Sequence, residues 1–272
     1  MHAVNDDWAA RKQVLDLTDG RQLAFVHAAE DGPALLLIHG YTDSSRSYAG
    51  LSAMLPGFNL VIPDLPGHGA SSARQQSGIT GYAFDIETLI DHLGLERLII
   101  VGHSMGGMIA TELAAKLGDR VEALVILASS LTPAMPDDGF LAMAIERFSD
   151  PIDPADPFFD DWHGCARPVD PAFLAVARRE AAAMPADVWR RIFKGMSSLD
   201  LRKLAGTVTC PVLALSGADD PLFGPHEQAR LVAAFPNARG RTFAGQGHNL
   251  HWEDPALVAN LLRDLAAPDL RD

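Results

Sequence analysis

Short apolar runs rich in Leu, Ile and Val alternate with helical patterns along most of the chain. The clearest runs span residues 34–39, 59–63, 97–102, 121–127 and 211–216. Runs of this length separated by helices are typical of βαβ units, in which helices cover both faces of a parallel sheet. The pattern therefore predicts an α/β fold.

Turn and capping residues indicate where other elements begin and end. Residues 14–17 and 22–26 flank Asp19-Gly20, which predicts an antiparallel hairpin ahead of the parallel strands. Residues 81–93 carry apolar side chains at spacings of three and four, and Gly94 follows them. This segment is predicted to be a helix that ends at the glycine.

The alternation stops between residues 131 and 206, where Pro and Asp are dense and no strand pattern is evident. Asp170-Pro171 predicts the cap and first turn of a helix through residue 183. An apolar stripe predicts a second helix that packs against the main domain: Val188, Trp189, Ile192, Phe193 and Met196. We expect residues 1–130 and 207–272 to form a core domain, and residues 131–206 to form a helical cap over the carboxyl ends of the strands.

A Gly-x-Ser-x-Gly segment joins a predicted strand to a predicted helix. The strand at residues 98–101 runs directly into Gly102-His103-Ser104-Met105-Gly106, and a helical pattern follows over residues 108–117. The two glycines relieve crowding where strand and helix approach, and the sharp turn lifts the serine hydroxyl above the sheet. Because the N-terminus of a helix favours developing negative charge, Ser104 is the predicted nucleophile.

Together with other motifs, this segment gives the chain a resemblance to the α/β-hydrolase family over nearly its whole length. The matching segments are His39-Gly40, Asp64-Leu65-Pro66-Gly67-His68-Gly69, the turn at Ser104, Gly217-Ala218-Asp219-Asp220 and Gly247-His248. The resemblance implies an α/β-hydrolase fold, with a mostly parallel eight-stranded sheet flanked by helices and a helical cap insertion. It also implies a nucleophile, an acid and a histidine in that chain order.

The catalytic base has to accept a proton from serine and return it near neutral pH, which suits a histidine. His248 lies in a loop between a predicted strand at residues 240–243 and a helix that Asp254 and Pro255 begin. This placement matches the catalytic histidine of the family, so the resemblance implies His248 as the base. His251 is the nearby alternative.

The acid that would orient His248 is one of two neighbouring aspartates. In the family the carboxylate usually stands three residues after a strand-ending glycine, and Gly217 places Asp220 there. Pro221 favours an extended backbone at Asp220, which suits a side chain that projects from a loop. Asp219 is the alternative acid, in which case Asp220 would cap the following helix.

An oxyanion hole needs two N–H donors aimed at the tetrahedral oxygen. The first expected donor is the main-chain N–H of Met105, directly after the nucleophile. The resemblance implies the main-chain N–H of Tyr41 as the second. Because both donate through the main chain, the Tyr41 side chain is free, and we expect it to form a wall of the pocket.

Charge and composition narrow the range of partners. The chain has 22 Lys and Arg against 35 Asp and Glu, and its net charge of −13 disfavours nucleic acid and anionic membrane surfaces. The first residues lack the apolar region of a secretory signal, and no apolar run approaches the ~18 residues of a membrane span. Cys165 and Cys210 are expected to be reduced thiols in a cytoplasmic protein.

Two segments resemble cofactor motifs but lack required residues. Gly67-His68-Gly69 lacks the third glycine and the ribose-binding acid of a nucleotide fingerprint. The Asp-rich and Pro-rich residues 150–161 lack the spacing and glycine of a calcium loop, so they predict a solvated acidic loop. No Cys or His cluster along the sequence indicates a metal. We therefore expect no cofactor and no metal, with a small molecule and water as the partners.

A serine nucleophile, a base and two oxyanion donors suit acyl transfer to water. The expected function is hydrolysis of carboxylic esters or lactones of small to medium apolar substrates through an acyl-enzyme. An apolar cap supports this expectation, with Phe140, Phe158, Phe159, Trp162, Trp189 and Phe193.

Other activities of the family remain as alternatives. Carbon–carbon hydrolases of ring-cleavage products and the menaquinone-pathway lyase keep a similar Ser-Met-Gly-Gly segment. Tyr41-Thr42-Asp43 and Met108 depart from the patterns of those enzymes. Haloalkane dehalogenases and epoxide hydrolases are disfavoured because they use an aspartate where Ser104 stands. A low-turnover ligand-binding receptor is a minor alternative that an intact triad disfavours.

Overall fold

The computed structural model of the protein describes residues 7–76 and 78–267. Its strands are β1 (Lys12–Asp16), β2 (Gln22–Ala28), β3 (Ala34–Ile38), β4 (Asn59–Pro63), β5 (Leu98–His103), β6 (Val121–Leu127), β7 (Val212–Gly217) and β8 (Ala238–Phe243). They form one sheet of eight strands in the order β1-β2-β4-β3-β5-β6-β7-β8. The pairs β1–β2 and β2–β4 are antiparallel and the other neighbours are parallel, so the predicted mostly parallel sheet is confirmed.

The strands lie close to where the hydrophobic pattern predicts them, except that the edge strand β8 is longer and more polar than predicted. β1 and β2 form the predicted hairpin, in which Leu15 pairs with Leu23. β8 begins at Ala238, two residues before the predicted strand, and its side chains at Arg239 and Arg241 are exposed. Because β8 pairs with a neighbour on one side only, it does not need the continuous apolar run that marks a central strand.

Helices flank the sheet. They are α1 (Asp7–Ala10), α2 (Ala49–Ser52), α3 (Ile79–His92), α4 (Met105–Leu117), α5 (Phe140–Arg147), α6 (Phe158–Trp162), α7 (Pro171–Ala183), α8 (Ala186–Ser197), α9 (Arg202–Ala205), α10 (Pro225–Ala234), α11 (Leu250–Glu253) and α12 (Pro255–Ala266). Short 3-10 helices cover Ser45–Tyr48 and Gly118–Arg120. Within the described ranges, none of the helices has both the length and the apolar character needed to cross a bilayer.

Two apolar cores lie on opposite faces of the sheet. In β3, Leu36 belongs to a core that includes Ile86 of α3 and Ile109 of α4. Its neighbour Leu35 points to the other face, into a core that includes Val258 of α12. Successive side chains of a strand alternate between faces, so both faces must be covered when every residue is apolar. This accounts for the unbroken apolar runs in the sequence.

The helix ends expected from the sequence are present. α3 is followed by Gly94, whose φ of +66° is a left-handed conformation that glycine adopts without strain. Asp254 caps α12, because its Oδ1 accepts a hydrogen bond from the N–H of Leu257 at 3.0 Å. Asp170 caps α7 in the same way, accepting from the N–H of Ala172 at 2.9 Å. The main-chain N–H groups at these ends are therefore partly satisfied.

An insertion of five helices, α5 to α9, separates β6 from β7. Trp189 of α8 lies at its centre and is fully buried. The indole ring is 5.4 Å, between centroids, from both Phe148 of the insertion and Tyr41 of the loop after β3. The Tyr41 hydroxyl also donates a hydrogen bond to the Trp189 carbonyl at 2.7 Å. The apolar stripe of α8 therefore packs against the main body, while the boundaries of a separate cap domain remain a prediction.

The acidic segment 150–161 is bound to the rest of the molecule more than its sequence predicts. Asp156 forms an ion pair with Arg147, and Asp150 Oδ1 accepts a hydrogen bond from the N–H of Ala186 at 2.8 Å, at the start of α8. Local spacing carries no sign of partners this distant in the chain. Cys165 and Cys210 are both free thiols, as expected.

Replacing Trp189 by alanine tests how much the insertion depends on this packing. We expect Trp189→Ala to lower the free energy of unfolding by about 3–5 kcal/mol, because it removes a buried aromatic side chain and leaves a cavity. Urea denaturation measures the change. Phe84→Ala is the control, since Phe84 lies on α3 and is 56 % exposed, and its loss should stay below about 1 kcal/mol. Equal losses in both variants would contradict the central role of Trp189.

Candidate active site

Ser104 occupies a sharp turn between β5 and α4. Its φ of +51° and ψ of −119° are unusual for a residue with a side chain. A Cβ on Gly102 would lie 2.3 Å from the carbonyl oxygen of Gly106, and a Cβ on Gly106 would lie 2.2 Å from that of Ile38. Both positions therefore require glycine, and the backbone itself explains the motif.

Asp220 and His248 lie on two loops at the same edge of the sheet. Asp220 follows β7, and His248 lies between β8 and α11. His248 Nδ1 is 2.9 Å from Asp220 Oδ2, and because a carboxylate only accepts, Nδ1 carries the hydrogen. Asp219 is exposed, whereas Asp220 is buried. Of the two candidate acids, the structure brings Asp220 to the histidine.

Asp220 is held in its charged form. Burial raises the pKa of its carboxyl group, but the hydrogen bonds from His248 and from the main chain of Leu222 and Phe223 oppose that effect, and the net pKa is lowered. Oδ1 also accepts hydrogen bonds from the N–H groups of Leu222 at 2.8 Å and Phe223 at 3.1 Å. Asp220 is therefore a fixed negative charge that selects one histidine tautomer.

Ser104 and His248 line one cavity of about 600 Å³. Among the hydrogen bonds of the described residues there is none between these two side chains. Such bonds are often long in unliganded enzymes and shorten when substrate binds. With Nδ1 protonated, His248 presents an unprotonated Nε2, which is the form that can accept a proton from serine.

The cavity is lined mainly by apolar side chains. Those from the insertion include Met135, Phe140, Leu141, Trp162, Phe193 and Met196, and those from the main body include Tyr41, Met108, Leu222 and Phe223. Asp161 is the only acidic residue in the lining, and no Lys or Arg of the described chain lines it. The site therefore offers apolar contact and no cationic partner for an anion.

The six aromatic residues expected in an apolar cap divide into two groups. Phe140, Trp162 and Phe193 line the cavity, whereas Phe158, Phe159 and Trp189 are buried inside the insertion. An apolar stripe predicts that one face of a helix is covered, but it does not show whether protein or a bound molecule covers it. Phe193 lies on the predicted packing stripe and nevertheless faces the cavity.

Residues 35–261 match the family described as the Alpha/beta hydrolase family. The chain belongs to this family. The glycine-flanked serine turn, the acid after β7 and the histidine after β8 occur in the chain order that is typical of α/β-hydrolases.

Several known proteins are similar to this α/β-hydrolase. Lipase LipV of Mycobacterium tuberculosis is 36 % identical over 148 residues, which cover 53 % of this chain and 55 % of LipV. A Bacillus subtilis protein provisionally named 2-succinyl-6-hydroxy-2,4-cyclohexadiene-1-carboxylate synthase is 27 % identical over 92 % of this chain and 96 % of its own. The crystal structure of an enol-lactonase from Burkholderia xenovorans LB400 superposes with a TM-score of 0.81, at 21 % identity over 93 % of this chain and 99 % of that one. Three Mycobacterium relatives are 39 % identical over 103 residues, and this match spans only 30 % of their length.

The two expected oxyanion donors flank the serine turn. Met105 is the first residue of α4, so its N–H has no carbonyl one turn earlier to bond. Tyr41 follows β3 and lines the cavity. Its hydroxyl is already bonded to the Trp189 carbonyl. This leaves the Tyr41 ring as a cavity wall, while the oxyanion role of both main-chain N–H groups remains a prediction.

Two other histidines of this α/β-hydrolase form hydrogen bonds away from Ser104. His39 Nε2 accepts a hydrogen bond from the N–H of Leu65 at 2.9 Å, and its Nδ1 lies 2.8 Å from the Gly40 carbonyl. His251, the alternative base, is buried, and its Nε2 lies 2.8 Å from Ser47 Oγ. Neither histidine lines the cavity.

A cluster that the sequence does not reveal lies beside His248. Asp43, His103 and His251 each place a possible ligand atom within 4.8 Å of the others, and they are the described residues that could hold a metal ion. They come from the loop after β3, the serine turn and α11, so no local spacing links them. The expectation of no metal site rested on such spacing.

Replacing Gly106 by alanine tests the crowding at the serine turn. The new Cβ would meet the Ile38 carbonyl oxygen at 2.2 Å, so we expect Gly106→Ala to lose about 3 kcal/mol or more of unfolding free energy. Gly50→Ala is the matched control, because no atom lies within 4 Å of a Cβ there. Chemical denaturation should show Gly50→Ala unchanged or more stable by up to about 1 kcal/mol. A fully stable Gly106→Ala variant would contradict this account.

Proposed function

We propose that this α/β-hydrolase cleaves carboxylic esters or lactones of small to medium, uncharged and largely apolar molecules. The observation that carries the proposal is that Ser104 and His248 line one apolar cavity, with Asp220 bonded to His248 behind it. Acyl transfer to water is the chemistry that a serine, a base and two N–H donors perform together.

In the proposed reaction, Ser104 Oγ attacks the carbonyl carbon while His248 Nε2 takes the hydroxyl proton. Asp220 holds the imidazole in the required tautomer and stabilises the imidazolium. The N–H groups of Tyr41 and Met105 bind the tetrahedral oxygen. His248 then protonates the leaving alkoxide, and a water molecule, activated by the same histidine, releases the acid from the serine.

The cavity supports a neutral substrate. Its volume of about 600 Å³ is in the range of sites for small organic molecules. An ester with a carboxylate on its acyl chain would face Asp161 and no cation in the lining. Burying an unpaired charge is costly, so neutral acyl chains are the preferred class. Lipase LipV and the enol-lactonase have names that agree with this class of reaction.

Carbon–carbon bond cleavage is the second candidate, since the Bacillus subtilis relative matches over nearly the full chain. The cavity counts against it: Met108 lines the position where the lyase usually carries an arginine, and no described Lys or Arg replaces that charge. A carboxylate-bearing substrate would therefore lack its usual partner.

A substrate panel tests the proposed function. We expect kcat/KM to be highest on neutral aryl esters or lactones, lower on an aryl ester of equal length that ends in a carboxylate, and absent on vinylogous diketones. Ser104→Ala should lower kcat by roughly 10⁶-fold, because the nucleophile is lost. Hydrolysis that survives this substitution would overturn the mechanism, and a preference for the diketones would establish the second candidate. Tight binding of any panel member without turnover would identify a receptor.

The two neighbouring aspartates provide a matched pair. Asp220→Asn should lower kcat by roughly 10⁴-fold, because an amide in place of the carboxylate favours the wrong histidine tautomer. Asp219→Asn removes the same charge one residue away, on an exposed side chain, and should change kcat less than about threefold. Steady-state kinetics on the best ester measures both variants. Equal losses of kcat would contradict the assignment of Asp220 as the acid.

A further inference from the structure

Three polar side chains meet in a buried space behind the serine turn. Asp43 lies in the loop that follows β3, His103 directly precedes Ser104, and His251 belongs to α11. Asp43 Oδ2 is 3.8 Å from His103 Nδ1, and one possible ligand atom of each residue lies within 4.8 Å of the others. None of the three lines the substrate cavity.

The hydrogen bonds around His103 determine which of its nitrogens carries the proton. Nε2 is 3.1 Å from the carbonyl oxygen of His248, and a carbonyl oxygen only accepts. Nε2 therefore carries the hydrogen. In a neutral ring this leaves Nδ1 as an acceptor, and it is buried without a hydrogen-bond partner.

A similar count fixes the tautomer of His251. Trp252 Nε1, which only donates, lies 2.8 Å from Ser47 Oγ, and the Ser47 hydroxyl donates to Asp43 Oδ2 at 3.3 Å. A hydroxyl has one hydrogen to give, so His251 Nε2 must donate to Ser47 Oγ across their 2.8 Å contact. His251 Nδ1 is then an acceptor, and it too is buried without a partner.

With the Asp43 carboxyl ionised, the cluster presents three acceptors to one another, and a protonated Asp43 would supply one hydrogen for the two histidine nitrogens. Burial, reinforced by the other histidines nearby, lowers the pKa of His103 well below its usual value and that of His251 to about 3. Burial raises the pKa of Asp43 to about 7, against the opposing effect of the hydrogen bond from Ser47. The charge of Glu180 acts in the same direction as burial. Burying several acceptors together costs free energy unless a hydrogen-bond donor or a cation lies between them.

Glycine at position 40 keeps space open beside the cluster. A Cβ there would lie 2.8 Å from His103 Nδ1 and 3.1 Å from Asp43 Oδ2, so a side chain at this position would fill the gap between two of the acceptors.

We propose that Asp43, His103 and His251 form a binding site for one divalent transition-metal ion, of which Zn²⁺ is the best fit. Two imidazole nitrogens and one carboxylate are a ligand set that suits zinc better than calcium or magnesium. Metal-binding histidines typically donate their other N–H to a nearby acceptor, and both rings do so here, to the His248 carbonyl and to Ser47. Binding would draw the three ligand atoms in to about 3.4 Å from one another, the spacing of a tetrahedral site.

Such an ion would hold the catalytic loops together and would not contact substrate. Its ligands come from the segment that bears Tyr41, from the serine turn and from the helix next to His248. The same ion would neutralise Asp43 and satisfy both bare nitrogens. A buried water is the competing occupant, and beside an ionised Asp43 it has only two hydrogens for three acceptors.

Metal analysis of the full chain tests the site. Protein stripped with a chelator, equilibrated with Zn²⁺ and freed of excess ion should retain one zinc per chain, and Co²⁺ in its place should give the visible absorption of a low-coordinate nitrogen and oxygen site. Asp43→Asn and His251→Gln should weaken zinc binding by more than the roughly 10–100-fold that loss of an outer-shell partner costs. Zinc at 100-fold excess over Kd should raise the Tm of the unaltered chain by roughly 5–10 °C and that of both variants by far less.

His163→Gln is the matched control. His163 is also buried with both ring nitrogens unpartnered, but it lies outside the cluster, so this variant should bind zinc as the unaltered chain does. Circular dichroism establishes that each variant is folded, and the asparagine variant keeps the shape of Asp43. No retained ion in the unaltered chain, or equal retention in all variants, would overturn the proposal in favour of a buried water. Because metal content is measured without substrate, the result is independent of the proposed ester hydrolysis.

Discussion

The architecture of the site depends on one close approach of backbones at the serine turn. Gly102 packs against the carbonyl oxygen of Gly106, and Gly106 packs against that of Ile38. Both contacts are so close that a Cβ on either glycine would overlap the oxygen. This approach fixes α4 against β3 and β5, so the first N–H of α4 and the loop after β3 come to the same place. The remaining residues reach that place because parallel strands end at a common edge, where loops after β7 and β8 deliver Asp220 and His248.

Elements with a local cause are the ones that the sequence predicts well. Buried central strands, the caps at Asp170 and Asp254, the glycine after α3 and the serine turn each follow from a few neighbouring residues. The spacing from Gly217 favours Asp220 over Asp219 as the acid, and the structure separates the two by burial. Contacts that join distant segments have no local sign. The capping of α8 by Asp150 and the meeting of Asp43 with His103 and His251 are of this kind.

The insertion divides its aromatic residues between two tasks. Phe158, Phe159 and Trp189 form a buried centre that gives the insertion a fixed shape, and Phe140, Trp162 and Phe193 present apolar surface to the cavity. Several polar contacts attach this unit to the main body: Trp162 Nε1 donates to Thr42 Oγ1 at 2.9 Å, and Arg46 pairs with Glu180. Both partners in the main body, Thr42 and Arg46, lie between β3 and β4. The walls of the pocket and the loop that bears Tyr41 are thus one connected unit.

Tyr41 joins this loop directly to α8 of the insertion. Its main-chain N–H is the proposed second oxyanion donor, and its hydroxyl donates a hydrogen bond to the Trp189 carbonyl of α8. Because a rigid aromatic ring joins the two ends, a shift of α8 would also shift the Tyr41 backbone. A molecule that fills the pocket poorly would therefore leave this backbone in a different position from one that fills it well. Tyr41 would therefore couple the fit of a molecule in the pocket to the position of the proposed oxyanion donor near Ser104.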